Sequence, residues 1–260
     1  MITSVHNPKI QQVRKLQALV KTRQEEGAFV IEGVRLAEEA MQAGWEARLV
    51  LFTTSLDQRG RKVVDGFSAR GVPTEGVSEA VMKAVSETET PQGILVILAL
   101  RSLPMPSPCD FILILDGVRD PGNLGTILRT AAAAGVQAVI LPPGSADAFA
   151  PKVVRAGMGA HFCLPVISAS WDKVKSIIKG SNNNLHVYLA DSANGEAYTQ
   201  ADYRPPVALI IGGEAAGAGS EAMALADERI RIPMPGNTES LNAAIATGIL
   251  LFEVVRQRGG

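Results

Sequence analysis

Residues 111–125 have the sequence FILILDGVRDPGNLG, and this stretch decides the fold. Its first five residues are apolar, as is typical of a strand buried on both faces of a parallel sheet. The Asp-Pro-Gly that follows favours a turn, and Asn123 is expected to cap a helix over 124–134 that ends at Gly135. A buried strand, a short polar loop and a helix form the repeating unit of α/β proteins, so the stretch predicts that class.

The same alternation continues on the C-terminal side of this stretch. Strands that are apolar throughout and separated by helices indicate a parallel sheet covered on both faces. Such strands are expected at 137–141, 163–167, 186–190, 207–211 and 230–233, and helices at 151–157, 171–179, 220–226 and 241–256.

The N-terminal part of the chain has a shorter run of the same kind. Strands are expected at 29–31, 49–52 and 94–100, with helices at 34–42 and 62–69. Residues 104–108 contain three prolines, which suit an extended linker better than a helix or a central strand. We therefore predict a smaller α/β domain over 1–103, a linker over 104–108 and a second domain over 109–260.

Composition excludes several classes of protein. Of 260 residues, 47% are hydrophobic and 20% are charged, which is ordinary for a globular protein. The formal net charge of −1 argues against a uniformly basic nucleic-acid binder. The two cysteines, Cys109 and Cys163, form neither a disulfide framework nor a metal-ligand pattern. With no signal peptide and no apolar stretch of membrane length, we expect a soluble cytoplasmic protein that binds no metal.

One segment of the chain is locally basic. Residues 1–23 contain no acid but five cations, Lys9, Arg14, Lys15, Lys21 and Arg23. Apolar residues recur within the segment at helical spacing, so it is predicted to form an amphipathic basic helix. The charged face of such a helix is either simply solvated or in contact with phosphates.

In open α/β sheets, ligands bind beyond the carboxyl ends of the strands, and three loops there are candidates: 116–125, 212–219 and 232–242. The second of them, 212–219, is rich in glycine, as phosphate-binding loops are. However, it contains Glu214, whose carboxylate would repel a phosphate, and no Gly-Lys-Ser/Thr follows. An NAD or ATP site is therefore disfavoured, and with it a dinucleotide-dependent oxidoreductase. A ligand with a positive centre, such as S-adenosylmethionine, would tolerate Glu214.

The third loop and the helix that follows the first loop contain polar residues with less obvious structural roles. Arg129 points away from the apolar face of its helix, toward solvent, a ligand or a second subunit. In the third loop, 232–242, Ser240 is expected to cap the last helix. Asn242 lies just off the apolar stripe of that helix and is unexplained by packing. The stripe consists of Leu241, Ile245, Gly248, Phe252 and Val255.

Together, the three loops resemble those of the SpoU branch of the SPOUT RNA methyltransferases, over about 109–260. The matching residues are Asn123-Leu124-Gly125 with Arg129, Gly213-Glu214 with Gly217, and Ile232-Pro233-Met234 with Gly236 and Ser240-Leu241-Asn242. Two positions depart from the family pattern: 243–246 is Ala-Ala-Ile-Ala instead of the more usual Val-Ser-Val-Ala, and Ala218 replaces a larger apolar residue. The N-terminal part, through Asn7-Pro8-Lys9 and 29–35, resembles the ribosomal-L30e-like substrate-binding domain often fused to these enzymes.

The resemblance implies a parallel-sheet α/β fold with a C-terminal trefoil knot, a homodimer, and methylation of a ribose 2′-hydroxyl in RNA with S-adenosylmethionine as cofactor. By position, it implies cofactor contacts from Leu189, Ala190, Gly213, Ile232, Met234 and Leu241. Around the reacting ribose it implies a catalytic set of Asn123, Arg129, Glu214, Ser240 and Asn242. RNA contacts are expected from Asn7, Lys9, Arg14, Lys15 and Arg35.

Two questions stay open at this level. The matched loops contain no histidine, so Arg129 is either the general base, as family mechanisms have it, or a group that stabilises developing alkoxide charge. The substrate is either ribosomal RNA, which the L30e-like domain and the basic segment favour, or transfer RNA. A non-catalytic RNA-binding module of the same fold is the alternative from another class. Its expected signature is loss of Arg129, Glu214 or Asn242, and all three are present.

Overall fold

The computed structural model describes residues 1–180, 184–213, 217–236 and 238–259. Up to residue 101 the elements are α1 (Pro8–Ala18), α2 (Val20–Glu26), β1 (Ala28–Glu32), α3 (Val34–Gln42), β2 (Ala47–Phe52), α4 (Gln58–Ala69), β3 (Thr74–Gly76), α5 (Glu79–Val85) and β4 (Ile94–Ala99). They continue with β5 (Phe111–Asp116), α6 (Pro121–Ala133), β6 (Ala138–Leu141), α7 (Pro151–Gly157), a 3₁₀ helix (Ala160–Phe162), β7 (Val166–Ser168), α8 (Trp171–Gly180), β8 (His186–Ala190), β9 (Glu196–Ala197), β10 (Val207–Gly212), α9 (Ser220–Leu225), β11 (Glu228–Arg231) and α10 (Ala243–Gln257).

The contacts between these elements divide the chain into two compact units. The first consists of Met1–Arg101 with Phe149–Phe162, and the second of Ser102–Ala148 with Cys163–Gly260. The segment 149–162 therefore packs with the N-terminal unit, whereas the sequence pattern groups it with the C-terminal domain. Aromatic contacts explain this packing. The ring of Phe149 lies 5.0 Å from that of Phe29, and the ring of Phe162 lies 5.3 Å from that of Trp45.

The first unit is built on a four-stranded sheet, within the described residues, of order β1-β4-β2-β3. Strand β4 is antiparallel to both β1 and β2, while β2 and β3 are parallel. Strand β4 is buried along its whole length, as its unbroken apolar sequence predicts. Apolar residues of α1 and α5 cover one face of the sheet, and Ile10, Val13 and Leu16 are fully buried there.

The basic segment forms two helices rather than one. Leu19 has an extended backbone between α1 and α2. The guanidinium of Arg23, which is 3% exposed, donates to the carbonyls of Leu16 and Gln17 at distances of 2.5 and 2.9 Å. These carbonyls lie at the C-terminal end of α1, where backbone acceptors lack partners within the helix. One of the five cations is therefore a structural residue and does not belong to a solvated or phosphate-binding face.

The second unit confirms the expected parallel sheet. Among the described residues its strands run in the order β7-β6-β5-β10-β8-β11-β9, and every neighbouring pair is parallel. Helices α8 and α9 contribute buried residues to the apolar cluster on one face. Helix α6 packs on α10, and the predicted apolar face of α6 is fully buried, comprising Leu124, Ile127, Leu128 and Ala131.

Both predicted N-caps in this unit are wrong, whereas α6 ends before Gly135 as predicted. The N-cap of α6 is Asp120, whose carboxylate accepts from the N–H of Asn123 at 2.7 Å, so Asn123 lies inside the first turn. The helix starts one turn earlier than predicted because Pro121 suits the first helical position. The N-cap of α10 is Asn242 rather than Ser240, and its Oδ1 accepts from the N–H groups of Ala244 and Ile245.

The predicted core stripe of α10 is also wrong. Ile245 is 57% exposed and Phe252 is 51% exposed. A neighbouring face of the helix is buried instead, and it consists mainly of Ala243, Ala244, Thr247, Leu250, Leu251 and Val254. Because α10 is apolar on almost every side, its sequence periodicity does not distinguish the face that meets the core from the face left outside.

Candidate active site

The three loops singled out in the sequence start at the same edge of the parallel sheet. In the register of the strands, Gly212 at the end of β10 pairs with Asp116 at the end of β5. Ala190 at the end of β8 pairs with both Ile211 of β10 and Ile230 of β11. The carboxyl ends of four strands are thus adjacent, which is where ligands collect in open α/β sheets.

Two of these loops touch through their backbones. A Cβ atom placed on Gly213 would lie 2.2 Å from the carbonyl oxygen of Gly117, closer than any side chain could approach. The carboxylate of Asp116 accepts from the N–H of Gly219 at 2.6 Å, and the N–H of Gly217 donates to the carbonyl of Gly213 at 3.1 Å. The described ends of the glycine-rich loop are therefore held against the loop that follows β5.

A cavity of about 290 Å³ lies at this edge of the sheet. Five of the six residues expected to bind the cofactor line it, namely Ala190, Gly213, Ile232, Met234 and Leu241. Leu189 differs from the expectation, because it is 1% exposed and belongs to the apolar cluster on one face of the sheet. Its side chain therefore packs into the core of the second unit and does not line the cavity.

Two of the expected catalytic residues meet through a hydrogen bond. The Nδ2 atom of Asn242 donates to Oδ1 of Asn123 at 3.0 Å. Since Oδ1 of Asn242 accepts from the first N–H groups of α10, the orientation of its amide is determined by the helix. The contact joins the N-terminal ends of α6 and α10, where the helix dipoles favour negative charge. The arrangement can orient a polar substrate group and stabilise an anion.

The other expected catalytic residues are Ser240, Glu214 and Arg129. Ser240 lines the cavity, while Glu214 lies outside the described residues. Arg129 is exposed on α6, six residues after Asn123, which on an ideal helix is about 9 Å along the axis and about 120° around it. Arg129 does not line the described cavity.

Sequence reasoning missed a fourth loop at the same edge. Asp191 and Ser192 follow β8 directly and line the cavity. Partial burial alone would raise the pKa of the Asp191 carboxyl. Hydrogen bonds from Ala193 and Asn194, together with the nearby Arg229, outweigh that effect and hold this pKa below its usual range. The sequence does contain a signal for this loop, because it predicts β8 correctly and the carboxyl end of β8 must share the edge with the other strands.

The residues expected to contact RNA lie in the first unit, and several have structural partners there. Asn7 caps α1, accepting from the N–H of Lys9 at 2.9 Å, and the ammonium of Lys9 pairs with Glu75. Arg14 donates to the carbonyl of Ala84 at 3.1 Å, and Arg35 pairs with Glu39 at 2.9 Å. Lys15 is exposed.

The described residues contain no group of three or more His, Cys, Asp or Glu side chains arranged to hold a metal ion. Neither cysteine forms a disulfide, and burial raises the pKa of the Cys109 thiol. In the same part of the chain, no helix has the length and apolar character needed to cross a membrane.

Comparison with known proteins matches both parts of the chain to families. Residues 110–252 match the SpoU rRNA Methylase family, and residues 7–96 match the MRM3-like substrate binding domain. The 23S rRNA (guanosine(2553)-2'-O)-methyltransferase RlmP of Bacillus subtilis (strain 168) is 33% identical over 253 residues, covering 97% of this chain and 98% of that protein.

Solved structures agree over nearly the whole length. The AdoMet-bound rRNA methyltransferase from Sinorhizobium meliloti superimposes with a TM-score of 0.89 at 35% identity, covering 98% of this chain and 97% of that chain. The SpoU methyltransferase AviRb from Streptomyces viridochromogenes, in complex with AdoMet, gives 0.87 at 28% identity, covering 97% and 99%. The fold is that of the SPOUT class of RNA methyltransferases. Within that class, the chain belongs to the SpoU rRNA methylase family.

Proposed function

We propose that this protein uses S-adenosylmethionine to methylate a ribose 2′-hydroxyl of ribosomal RNA. The observation that carries the proposal is the placement of a small-molecule cavity and the Asn123–Asn242 pair at one edge of the parallel sheet of a SpoU-family chain. Ribosomal rather than transfer RNA is favoured because the relative from Bacillus subtilis is named for 23S rRNA and matches this chain over 98% of its own length.

The residues of the cavity fit S-adenosylmethionine. The volume of about 290 Å³ is near the lower end for small-molecule pockets. Apolar side chains such as Ile232 and Leu241 suit an adenosine, and the glycine backbone at Gly213, which no Cβ obstructs, offers polar groups at close range. The carboxylate of Asp191 suits a ligand with a positive centre. Gly213, Ile232 and Leu241 would hold the cofactor through backbone groups, and Ala190 and Met234 would complete the wall.

The chemistry required of the protein follows from the substrate. When bound, S-adenosylmethionine supplies an electrophilic methyl group. A neutral 2′-hydroxyl is a poor nucleophile, so its oxygen must lose a proton and gain negative charge during transfer. Asn123 and Asn242 orient the ribose, with the positive ends of α6 and α10 nearby. We assign Arg129 to stabilising the negative oxygen, because a guanidinium keeps its proton in proteins. Glu214 and Ser240 complete the proposed set.

We further propose that the active form is a homodimer, in which α10 meets a second copy of the chain. Ile245 and Phe252 are more than half exposed on this helix, and large apolar side chains grouped on one surface usually mark an interaction site. Arg129, exposed on the neighbouring α6, would then act next to a partner subunit. The trefoil knot and the cytoplasmic location implied by the resemblance remain predictions.

Replacing both exposed apolar residues of α10 by charges tests the dimer. The Ile245→Glu, Phe252→Glu protein should be monomeric and inactive because carboxylates on this face oppose apolar association, whereas the wild type should scatter light as about twice 27.4 kDa. Met223→Glu, at an apolar side chain of α9 that is 44% exposed, is the matched control and should remain dimeric and active. A wild-type monomer that turns over would contradict the proposal.

Substitution of Arg129 tests the proposed reaction. Arg129→Ala should lower single-turnover methyl transfer to ribosomal RNA by about 10²–10³, while S-adenosylmethionine binding and the melting temperature stay near wild type. Arg129→Lys should restore activity only in part, because an ammonium lacks the planar fork of donors. Mapping of 2′-O-methyl groups in ribosomal and transfer RNA identifies the product.

Three results would contradict this account. Wild-type turnover by a folded Arg129→Ala protein would remove the assigned role. Methylation of transfer RNA alone would change the substrate. RNA binding by the wild type without any methyl transfer would favour a non-catalytic module.

We also propose that the first unit supplies RNA affinity through its remaining basic residues. Of the five residues expected to contact RNA, Asn7 caps α1 and Lys9 forms an ion pair with Glu75. Lys15 is exposed, and Arg14 makes one exposed contact, with a backbone carbonyl. Arg35 lines a cavity of about 200 Å³ in this unit together with Arg155. Because Arg35 pairs with Glu39 as Lys9 pairs with Glu75, the phosphate-binding role rests mainly on Arg14 and Lys15.

Neutralising two of these residues tests that role. The Arg14→Gln, Lys15→Gln protein should bind ribosomal RNA more weakly, and the slope of log K against log salt should fall by roughly 0.7–0.9 for each phosphate that is no longer neutralised. Lys173→Gln, Lys179→Gln on α8 of the second unit removes the same charge and should bind RNA like the wild type. An unchanged salt slope in the first variant would show that α1 does not contact phosphates.

A further inference from the structure

Asp191 occupies a special position in the cavity. It is the first residue after β8, at the edge where the proposed cofactor site lies. Among the described residues that line the cavity, it is the one charged side chain, and its neighbours there are apolar, glycine or serine. Its side chain is 19% exposed, so its charge acts in partly desolvated surroundings.

The carboxylate of Asp191 is held in place by its own loop. Its Oδ1 accepts from the N–H groups of Ala193 and Asn194 at 2.9 and 3.0 Å. Its Oδ2 has only long contacts, 3.4 Å to Nδ2 of Asn194 and 3.4 Å to Nη1 of Arg229. Good hydrogen bonds to oxygen are shorter than this, so Oδ2 retains capacity to interact with a ligand. The pKa is lowered by these neighbours, and the group is therefore ionised at neutral pH.

The proposed reaction changes the charge of the molecule in the cavity. The ribose oxygen forms a bond to the methyl carbon, the carbon–sulfur bond breaks with its electron pair on sulfur, and the hydroxyl proton passes to solvent. S-adenosylmethionine has a sulfonium, an ammonium and a carboxylate, for a net charge of +1, whereas S-adenosylhomocysteine has a neutral sulfur and no net charge. A fixed negative charge in the wall attracts the first more strongly than the second.

We propose that Asp191 is a specificity-determining residue that makes the cavity prefer the cationic cofactor to its neutral product. The inference rests on the proposed function. As a consequence, the product leaves the cavity and fresh cofactor replaces it more readily than they would if the cavity contacted only groups that the two molecules share. Arg229 moderates the effect, because its guanidinium partly offsets the charge of Asp191.

A different role for Asp191 makes a different prediction. If its carboxylate only accepted hydrogen bonds from the ribose hydroxyls or the ammonium, which both molecules possess, its loss would weaken both by the same factor. If it only shaped the loop over 191–195, its replacement by asparagine would change neither affinity, since an amide oxygen can still accept from Ala193 and Asn194. The two affinities together therefore distinguish these roles.

Calorimetric titration of the full-length protein with each ligand is the test. Asp191→Asn should raise the Kd of S-adenosylmethionine about tenfold and that of S-adenosylhomocysteine less than twofold. Arg229→Gln should act in the opposite sense and tighten S-adenosylmethionine alone, which keeps the inference testable should Asp191→Asn fold poorly. Asp227→Asn is the matched control. Its carboxylate accepts from the N–H of Val187 at 2.8 Å near the other end of β8, and its loss should leave the ratio of the two Kd values unchanged.

The outcomes separate this inference from the proposed function. A wild-type protein that binds neither molecule contradicts the proposed function itself. A wild type that binds both, with an Asp191→Asn protein whose two Kd values rise equally or stay the same, overturns only the charge-based role of Asp191. A change of the ratio in the Asp227→Asn control of the same size would also overturn it, because the effect would then come from overall charge.

Discussion

The close approach of Gly213 to the carbonyl of Gly117 is the constraint on which the rest of the site depends. It follows from the sheet, since β5 and β10 are neighbouring parallel strands that end at the paired residues Asp116 and Gly212. Two loops that leave adjacent strands at the same edge compete for the same space, and a glycine lets their backbones touch. The hydrogen bond from the N–H of Gly219 to the carboxylate of Asp116 is a second contact between the same two segments. Gly212, Gly213 and Gly217 line the cavity, so these contacts hold one wall of it in place.

The polar groups of the proposed site are positioned by the ends of two helices and not by loop side chains alone. Asn242 caps α10 and at the same time contacts Asn123 in the first turn of α6. A capping residue is rigid because its amide is bound to the backbone, so the same interaction that starts the helix also orients the polar pair. This dual use explains why a polar residue stands at this position next to an apolar helix. Sites supported by regular elements are more precise than sites on loops.

The sequence predicts the sheet well because the physical signal there is strong. Strands such as β5 and β10 are buried on both faces, and only continuous apolar runs satisfy that environment. Five of the residues expected to bind the cofactor line one cavity, as motif resemblance and the rule that ligands bind at strand ends together predict. Asp191 could have been found by applying that same rule to β8.

Other features depend on tertiary contacts that local patterns do not contain. The caps at Asp120 and Asn242 are hard to assign from sequence because each region offers several good capping residues within a few positions. The buried role of Arg23 requires knowing that α1 ends at Ala18. The packing of 149–162 in the first unit depends on aromatic contacts with residues more than 100 positions away, which no sequence periodicity encodes.

The direct test of this account is a comparison of two alanine substitutions at glycines of the second unit. Gly213→Ala places a methyl group 2.2 Å from the carbonyl oxygen of Gly117, whereas Gly180→Ala at the end of α8 meets no described neighbour within 4 Å outside its own helix. Calorimetric titration with S-adenosylmethionine, with thermal melts alongside, should show binding abolished or weakened by more than tenfold in Gly213→Ala. Gly180→Ala should bind normally and melt at or above the wild-type temperature. Wild-type affinity in Gly213→Ala would contradict the claim that the backbone contact of these two loops builds the site.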